Sequence, residues 1–307
     1  MSTPNERTCA IIVTFNPSDK VIDTIMGNFH YLDNVLIYDN GSTAEIKSKL
    51  KTLLKEREND PNANAQGIYF INGSENAGLS KAYNNSIKFL KGMNYDYVLI
   101  LDQDSKLSQG TVGKLFTQYE RLSQSHKVGA VSPIVIQEGQ GPLNIFFDGR
   151  FRWRGFSYED EFVFETPFLI NSGTFIHINI LEEIGYYDES LFLDSVDHDM
   201  SFRMRAYGYH LFIVKDIVLS QNIDNKIDFK FLWIRLDREG HSPTNDYYMV
   251  RDSMRVAQRY IKNYWPQCLL LYLNVIIKFV ATIFIYRHKS DRFTMIIKGF
   301  KDFILSL

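Results

Sequence analysis

In the first third of the chain, short apolar runs rich in β-formers alternate with segments of helical character, and each run breaks off at a polar turn. The runs cover residues 9–15, 35–38, 67–71, 97–101 and 128–132. Their length and their Val, Ile, Tyr and Phe content predict buried strands. Between them lie predicted helices over about 19–29, 43–58, 79–91 and 109–122, the first capped by Ser18 or Asp19. Strand and helix in turn predict an α/β fold: a mostly parallel sheet covered on both faces. Such sheets bind ligands outside the carboxyl ends of their strands.

What stands at those ends is therefore informative. The run at 97–101 leads into Asp102-Gln103-Asp104. Two carboxylates one residue apart can face one hard cation. Mg²⁺ or Mn²⁺ takes oxygen ligands and shares them with substrate phosphates. A lone Asp-x-Asp is usually a solvated turn, but the buried strand before it favours a metal that grips a nucleotide diphosphate. Asp39-Asn40-Gly41-Ser42 ends the second run. Asp39 suits an Asx turn and can also accept from a nucleobase or ribose. Asn76-Ala77-Gly78 opens the helix at Leu79, where free amides suit either an anion or an ordinary N-cap, and Lys81 adds charge.

Residues 134–168 are less regular. Phe146, Phe147, Phe151, Trp153, Phe156, Tyr158, Phe162 and Phe164 recur near alternate positions. They predict antiparallel strands, as core packing or as the wall of an acceptor-sugar site.

The composition is that of a globular protein, with 45% hydrophobic and 23% charged residues, and a net charge of −2 gives no drive toward nucleic acid. Cys9 and Cys268 lie far apart in apolar segments, which predicts free thiols in a reducing compartment. Residues 1–7 are polar, so no secretory leader is expected there. From Arg259 onward the only acids are Asp291 and Asp302. Residues 265–286 are nearly all apolar, interrupted by Asn274 and Lys278, and are poorly suited to span a bilayer. Residues 292–307 form a basic amphipathic helix with Phe293, Ile296, Ile297, Phe300 and Ile304 on one face. This tail suggests an anionic membrane surface. A hairpin packed on the body of the protein, or on a second copy in a homodimer, is the other reading.

Residues 8–255 resemble the inverting nucleotide-sugar glycosyltransferases of the GT-A fold, and within them the bacterial rhamnosyltransferases. The likeness rests on Val13-Thr-Phe-Asn-Pro17, Leu101-Asp-Gln-Asp-Ser105, Asn171-Ser-Gly173, Ile184-Gly-Tyr-Tyr-Asp-Glu189, Leu191-Phe-Leu-Asp-Ser-Val-Asp197 and His241-Ser-Pro243 before Tyr247, Tyr248 and Arg251. It implies a catalytic domain over 1–244, with a nucleotide half at about 8–133 and an acceptor half at about 134–244. Residues 245–307 after it read, from their own apolar and basic pattern, as a helical, membrane-associating extension.

The resemblance also implies roles. Thr14, Asn16, Asp39, Asn76, Gly78, Lys81 and Asp102 would bind the donor nucleotide. Asp104 would hold Mg²⁺ or Mn²⁺, with His241 as a further contact. Asp197 would be the base, with Asp194 and Asp199 as rivals. The apolar approach Leu191-Phe192-Leu193 is expected to raise its pKa. Ser172, Gly173 and Asp199 would meet sugar or acceptor. Arg251 would meet phosphate or pair with an acid at the core edge. The implied reaction moves L-rhamnose from dTDP-β-L-rhamnose to a lipid-linked cell-surface glycan at the cytoplasmic face of the bacterial inner membrane. A UDP-hexose or UDP-N-acetylhexosamine donor fits the same motifs. A nucleotidyltransferase would need a Gly-rich basic loop near the first strand, and residues 14–18 offer none. A non-catalytic scaffold in a glycan assembly complex is disfavoured by Asp39, Asp102, Asp104 and Asp197 occurring together.

Overall fold

The computed structural model describes residues 7–58, 67–137, 141–142, 146–147, 153–154, 163–221, 229–231, 234–236 and 242–306. Strands β1 (Thr8–Thr14), β2 (Asn34–Asp39), β3 (Gly67–Asn72) and β4 (Tyr97–Asp102) alternate with helices α1 (Asp19–Asn28), α2 (Ala44–Glu58) and α3 (Leu79–Gly92). The Ser18 side chain accepts from the Val21 amide and starts α1, as expected of an N-cap. All four strands run parallel, so Thr14 lies beside Asp39 and Val13 beside Asp102. The strand ends that carry the motifs therefore meet at one sheet edge.

Beyond β4 the chain forms β5 (Ser105–Lys106), α4 (Thr111–Ser123), β6 (Val128–Gln137) and the short strands β7 (Gly141–Pro142), β8 (Phe146–Phe147) and β9 (Trp153–Arg154). Then come β10 (Val163–Glu165), β11 (Phe175–His177), α5 (Ile178–Glu183), α6 (Val196–Ala206) and β12 (His210–Gln221). The main sheet has the order β10-β12-β6-β11-β4-β1-β2-β3. It is mixed. β12 is parallel to β6, but β11 is inserted antiparallel between β4 and β6. Phe175 of β11 is fully buried and stacks on Tyr97 at 5.1 Å, so aromatic packing fastens the inserted strand. β8 and β9 pair antiparallel, with Phe147 opposite Trp153, and β10 is antiparallel to β12. That agrees with the alternating aromatics, although Phe151, Phe156, Tyr158 and Phe162 lie outside the described residues. β13 (Phe229–Phe231) and β14 (Ile234–Leu236) make a separate hairpin. Cys9 and Cys268 are buried free thiols.

The chain ends in α7 (Pro243–Phe284) and α8 (Lys289–Ile304). α7 is broken at Tyr264 (φ −132°, ψ 42°), two residues before Pro266. Proline lacks the amide that would continue the ladder. Lys278 Nζ nevertheless lies 2.9 Å from Asp246 Oδ1, and Val250 packs with Val275 and Ile296. In a straight helix, positions 246 and 278 would be ~48 Å apart. The two limbs therefore fold back on each other at Tyr264. Arg292 of α8, itself buried, donates to Asp246 Oδ2 at 2.7 Å and completes a triad inside this bundle.

Candidate active site

A cavity of about 670 Å³ opens at the carboxyl edge of the parallel strands, a size suited to a small-molecule ligand. Val13, Phe15, Asn40, Asp102 and Gln103 line it from β1, β2 and β4. Asn76, Gly78 and Tyr83 come from the start of α3, and Phe192 and Leu193 from the loop before α6. Ser242, Thr244, Asn245 and Tyr248 come from the first turns of α7.

Asp39 is fully buried. Its Oδ2 accepts from the amides of Gly41 at 3.2 Å and Ser42 at 3.1 Å, which is the turn role. Its Oδ1 has no partner among the described residues, and neither has the buried Oγ1 of neighbouring Thr14. Buried polar atoms seldom stay unpaired. These two stand side by side at the strand ends, next to the cavity-lining Val13, Phe15 and Asn40, but do not themselves line the cavity. Asn16 ties the loops together: its amide donates to Ser42 Oγ at 2.8 Å and its Oδ1 accepts from Thr43.

Asp102 is held by Gln221, whose Nε2 donates to its Oδ2 at 2.8 Å. Burial, with the neighbouring charge of Asp104, pushes the Asp102 carboxyl up to about 7, and Asp197 adds to the lift. Gln103 Oε1 accepts from the Phe15 amide and locks this turn to β1.

Asp197 opens α6. Burial pushes its carboxyl up, but the charge of His198 and hydrogen bonds from the His198 ring and amide outweigh that and hold it below the usual range. His198 Nδ1 is 3.0 Å from Asp197 Oδ1, and its ring stacks on Phe168 at 4.8 Å. This corrects the expectation of a raised pKa: the apolar approach is present, but a histidine partner reverses its effect. Asp194, a rival, is raised by burial and by Asp197, and its Oδ1 accepts from Ser195 and Ser253. An ionised Asp197 is the form that takes a proton, and His198 keeps it ionised to lower pH. His198→Gln is therefore expected to move the acid limb of the kcat/KM profile upward in pH, with Asp194 still nearby. An unmoved limb would remove His198 from this role.

Other expectations are corrected. Asp199 is fully buried and committed to Arg203 Nε at 2.8 Å, Arg259 at 2.8 Å and Tyr260 at 2.9 Å, so its oxygens are spent on anchoring α7 to α6. The Ser172 hydroxyl is buried against Ser105 Oγ at 2.6 Å and braces the Asp-x-Asp turn. Gly173 (φ +81°) packs on Pro133, where a Cβ would come within 2.6 Å of that ring, so packing within the fold explains this glycine. Arg251 meets the acid its residue chemistry allowed: its Nε donates to Asp252 Oδ1 at 2.7 Å. At the N-terminus of α3, Asn76 and Gly78 line the cavity, while two of the amides there are already paired. The Gly78 amide donates to Asn76 Oδ1 and the Leu79 amide to Phe192 O at 2.6 Å. Gly78 (φ +87°) is required because a Cβ would meet the Phe192 carbonyl at 2.9 Å. Lys81 is exposed on α3 and does not line the cavity. His241 lies outside the described residues.

A family profile described as Glycosyl transferase family 2 matches residues 9–185, the span that contains β1 to α5 and the Asp-x-Asp turn. The chain belongs to this family. A curated relative, the dTDP-rhamnosyl transferase RfbF of Shigella flexneri, is 25% identical over 94% of this chain and 91% of its own. Among solved structures, GalNAc-T7 with UDP, GalNAc and Mn²⁺ superposes with a TM-score of 0.57 at 14% identity. That match covers 80% of this chain and half of GalNAc-T7. S. aureus TarS 1–349 gives 0.54 at 13% identity over 96% of this chain and 80% of its own. The two structures share the GT-A fold, and the protein is a glycosyltransferase.

In this family member, α7 does more than extend the fold. Asp252, 0% exposed, accepts from the Phe192 amide at 3.1 Å while paired to Arg251. Arg251 and Arg255 both donate to Ser190 O, Ser253 holds Ser195 at 2.9 Å, and Arg259 reaches Asp188 at 2.7 Å. The loop between α5 and α6, which leads to Asp197, is thus clasped by one face of α7. The sequence allowed Arg251 an acid partner, but no motif marked Asp252 as that acid or linked it to the Phe192 amide. Asp252→Ala takes the charged partner from the partly buried Arg251 and the acceptor from the Phe192 amide. It is expected to cost about 3 kcal/mol in a denaturant titration, and a change under ~0.5 kcal/mol, the range of ordinary surface substitutions, would contradict the clasp.

Proposed function

We propose that the protein is an inverting, cation-dependent rhamnosyltransferase that moves L-rhamnose from dTDP-β-L-rhamnose to a hydroxyl of a lipid-linked glycan. The observation that carries the chemistry is the grouping of acids: the charges of Asp104 and Asp197 both act on Asp102, and Tyr83, which lines the cavity, feels Asp102 and Asp197. The sugar is supported by the likeness to RfbF along nearly the whole chain.

The donor set fits a divalent cation. Asp102 and Asp104 repel each other across a partly buried turn, which a cation would offset. Among the described residues no group of three His, Cys, Asp or Glu side chains could hold a metal. Two carboxylates would leave the other positions to diphosphate oxygens and water, the usual arrangement for Mg²⁺ or Mn²⁺. When bound, such an ion stabilises the negative charge that grows on the departing nucleoside diphosphate. Asp39 Oδ1 and Thr14 Oγ1 offer unpaired acceptors for the nucleotide. Asp197 takes the proton from the acceptor hydroxyl as that oxygen forms its bond to the anomeric carbon. The bond to the diphosphate breaks on the opposite face, so one displacement converts a β-linked donor into an α-rhamnoside.

The deciding experiment measures binding and hydrolysis of dTDP-rhamnose, UDP-glucose, UDP-galactose and UDP-N-acetylhexosamines with Mg²⁺, Mn²⁺ or chelator. Selective, cation-dependent binding of dTDP-rhamnose is expected. Preference for a UDP-sugar would keep the transferase and overturn the rhamnose assignment. Binding of none would favour the scaffold reading.

A further inference from the structure

The second limb of α7 leaves one face uncovered. Trp265, Leu269, Leu273, Ile276, Val280 and Phe284 follow one another at three- and four-residue spacing and are all exposed, Ile276 by 58% and Phe284 by 74%. That spacing puts them on one side of the helix. Phe279 meets Phe293 of α8 at 5.6 Å, and Phe293 and Ile297 extend the exposed apolar surface onto α8. Soluble monomers rarely leave a continuous apolar strip of this kind open. Lys289 and Lys301 are exposed and stand four residues before Phe293 and four after Ile297, on the same side of α8, and Arg287 is exposed just before that helix. The nearby Asp302 is occupied by the Tyr247 hydroxyl at 2.7 Å.

We propose that this face docks on an anionic lipid surface, with the second limb of α7 and with α8 lying in the plane of the headgroups. Charge complementarity selects the occupant: an apolar strip edged by cations suits the boundary between acyl chains and anionic headgroups. The geometry selects the orientation. α7 is long and apolar enough to cross a membrane by composition. Its second limb would rise ~30 Å if upright. The opposite side of that limb, however, carries Lys278, paired with the buried Asp246 inside the bundle. Insertion across a bilayer would break that pair and carry a charge into hydrocarbon.

The fold-back at Tyr264 has a second result. It brings the Phe284 end of the strip beside the first turn of α7, as the Lys278–Asp246 contact requires. Ser242, Thr244 and Asn245 of that turn line the cavity. The docked face therefore sets the cavity at the edge of the interface. An acceptor carried on a lipid reaches the site without leaving the membrane surface, a consequence that rests on the acceptor class proposed above.

The test uses the full chain with phosphatidylcholine vesicles, alone or mixed with phosphatidylglycerol. Co-sedimentation with the anionic vesicles is expected, weakened on the order of tenfold or more by Lys289→Glu with Lys301→Glu and likewise by Ile276→Glu with Val280→Glu. Brominated lipid should quench the part of the tryptophan emission that Trp265→Phe removes. Donor binding by each variant serves as the control for folding and separates this proposal from the transferase assignment. No sedimentation of the parent protein, no Trp265 quenching, or a dimer that Ile276→Glu with Val280→Glu dissociates without any vesicle binding would each overturn it.

Discussion

Asp197→Asn is expected to lower sugar transfer by ~10³-fold, in the range lost with a general base, while sugar-nucleotide affinity stays near that of the parent protein. Asparagine keeps the size and one acceptor oxygen, so contact with the His198 amide, 2.8 Å in the parent, can survive. What it loses is the site that takes the proton. The surroundings support this separation of effects. Asp197 is partly open, its carboxyl is held below the usual range, and neither rival is equally available. Asp199 is spent on Arg203, Arg259 and Tyr260. Asp194 is raised by burial and holds Ser195. Single-turnover assays with saturating donor would isolate the chemical step. Transfer within tenfold of the parent would reject Asp197 as the base, and Asp194→Asn would then be the variant to measure.

How far the sequence reaches is set by the range of the forces involved. β1 to β4 and the helices between them follow from local apolar runs and turn residues, because a short apolar run bounded by turns suits a strand buried on both faces of a parallel sheet. The Asp-x-Asp turn follows from them, since it ends the run that becomes β4. The errors share a different cause. Ser172 and Gly173 look like a loop open to sugar, yet the Ser105 hydroxyl and the Pro133 ring occupy them, and both partners are more than thirty residues away in the chain. The amides that open α3 look free, yet the Phe192 carbonyl fills one of them. The low pKa of Asp197 depends on a side chain one residue away, whose ring direction is fixed by Phe168. Periodicity cannot see such pairings. The tail makes the same point. Its apolar run is legible, but the fold-back at Tyr264 depends on Asp246 meeting Lys278 and Arg292.

The second large effect is expected at the Asp-x-Asp turn. Asp104→Ala should weaken donor binding in the presence of Mn²⁺ or Mg²⁺ by at least the ~10–100-fold that even the outer partners of a metal ligand cost. Under chelation it should leave the weak residual binding little changed. The reason lies in the electrostatics of the pair. The charge of Asp104 helps to push Asp102 up to about 7, so without a cation the two carboxylates oppose each other. Removing Asp104 relieves that repulsion on Asp102, and a thermal melt of each protein shows whether the fold keeps its stability. A large loss of cation-dependent affinity in a protein of undiminished stability can therefore be assigned to the lost oxygen ligand. Isothermal titration of dTDP with and without the cation, beside a thermal melt of each protein, reads both quantities. Equal dTDP affinity in parent and variant at saturating cation would remove Asp104 from the metal site. The repulsion seen at Asp102 would then be a feature of the turn alone, braced by Gln221 and by the Ser105–Ser172 contact.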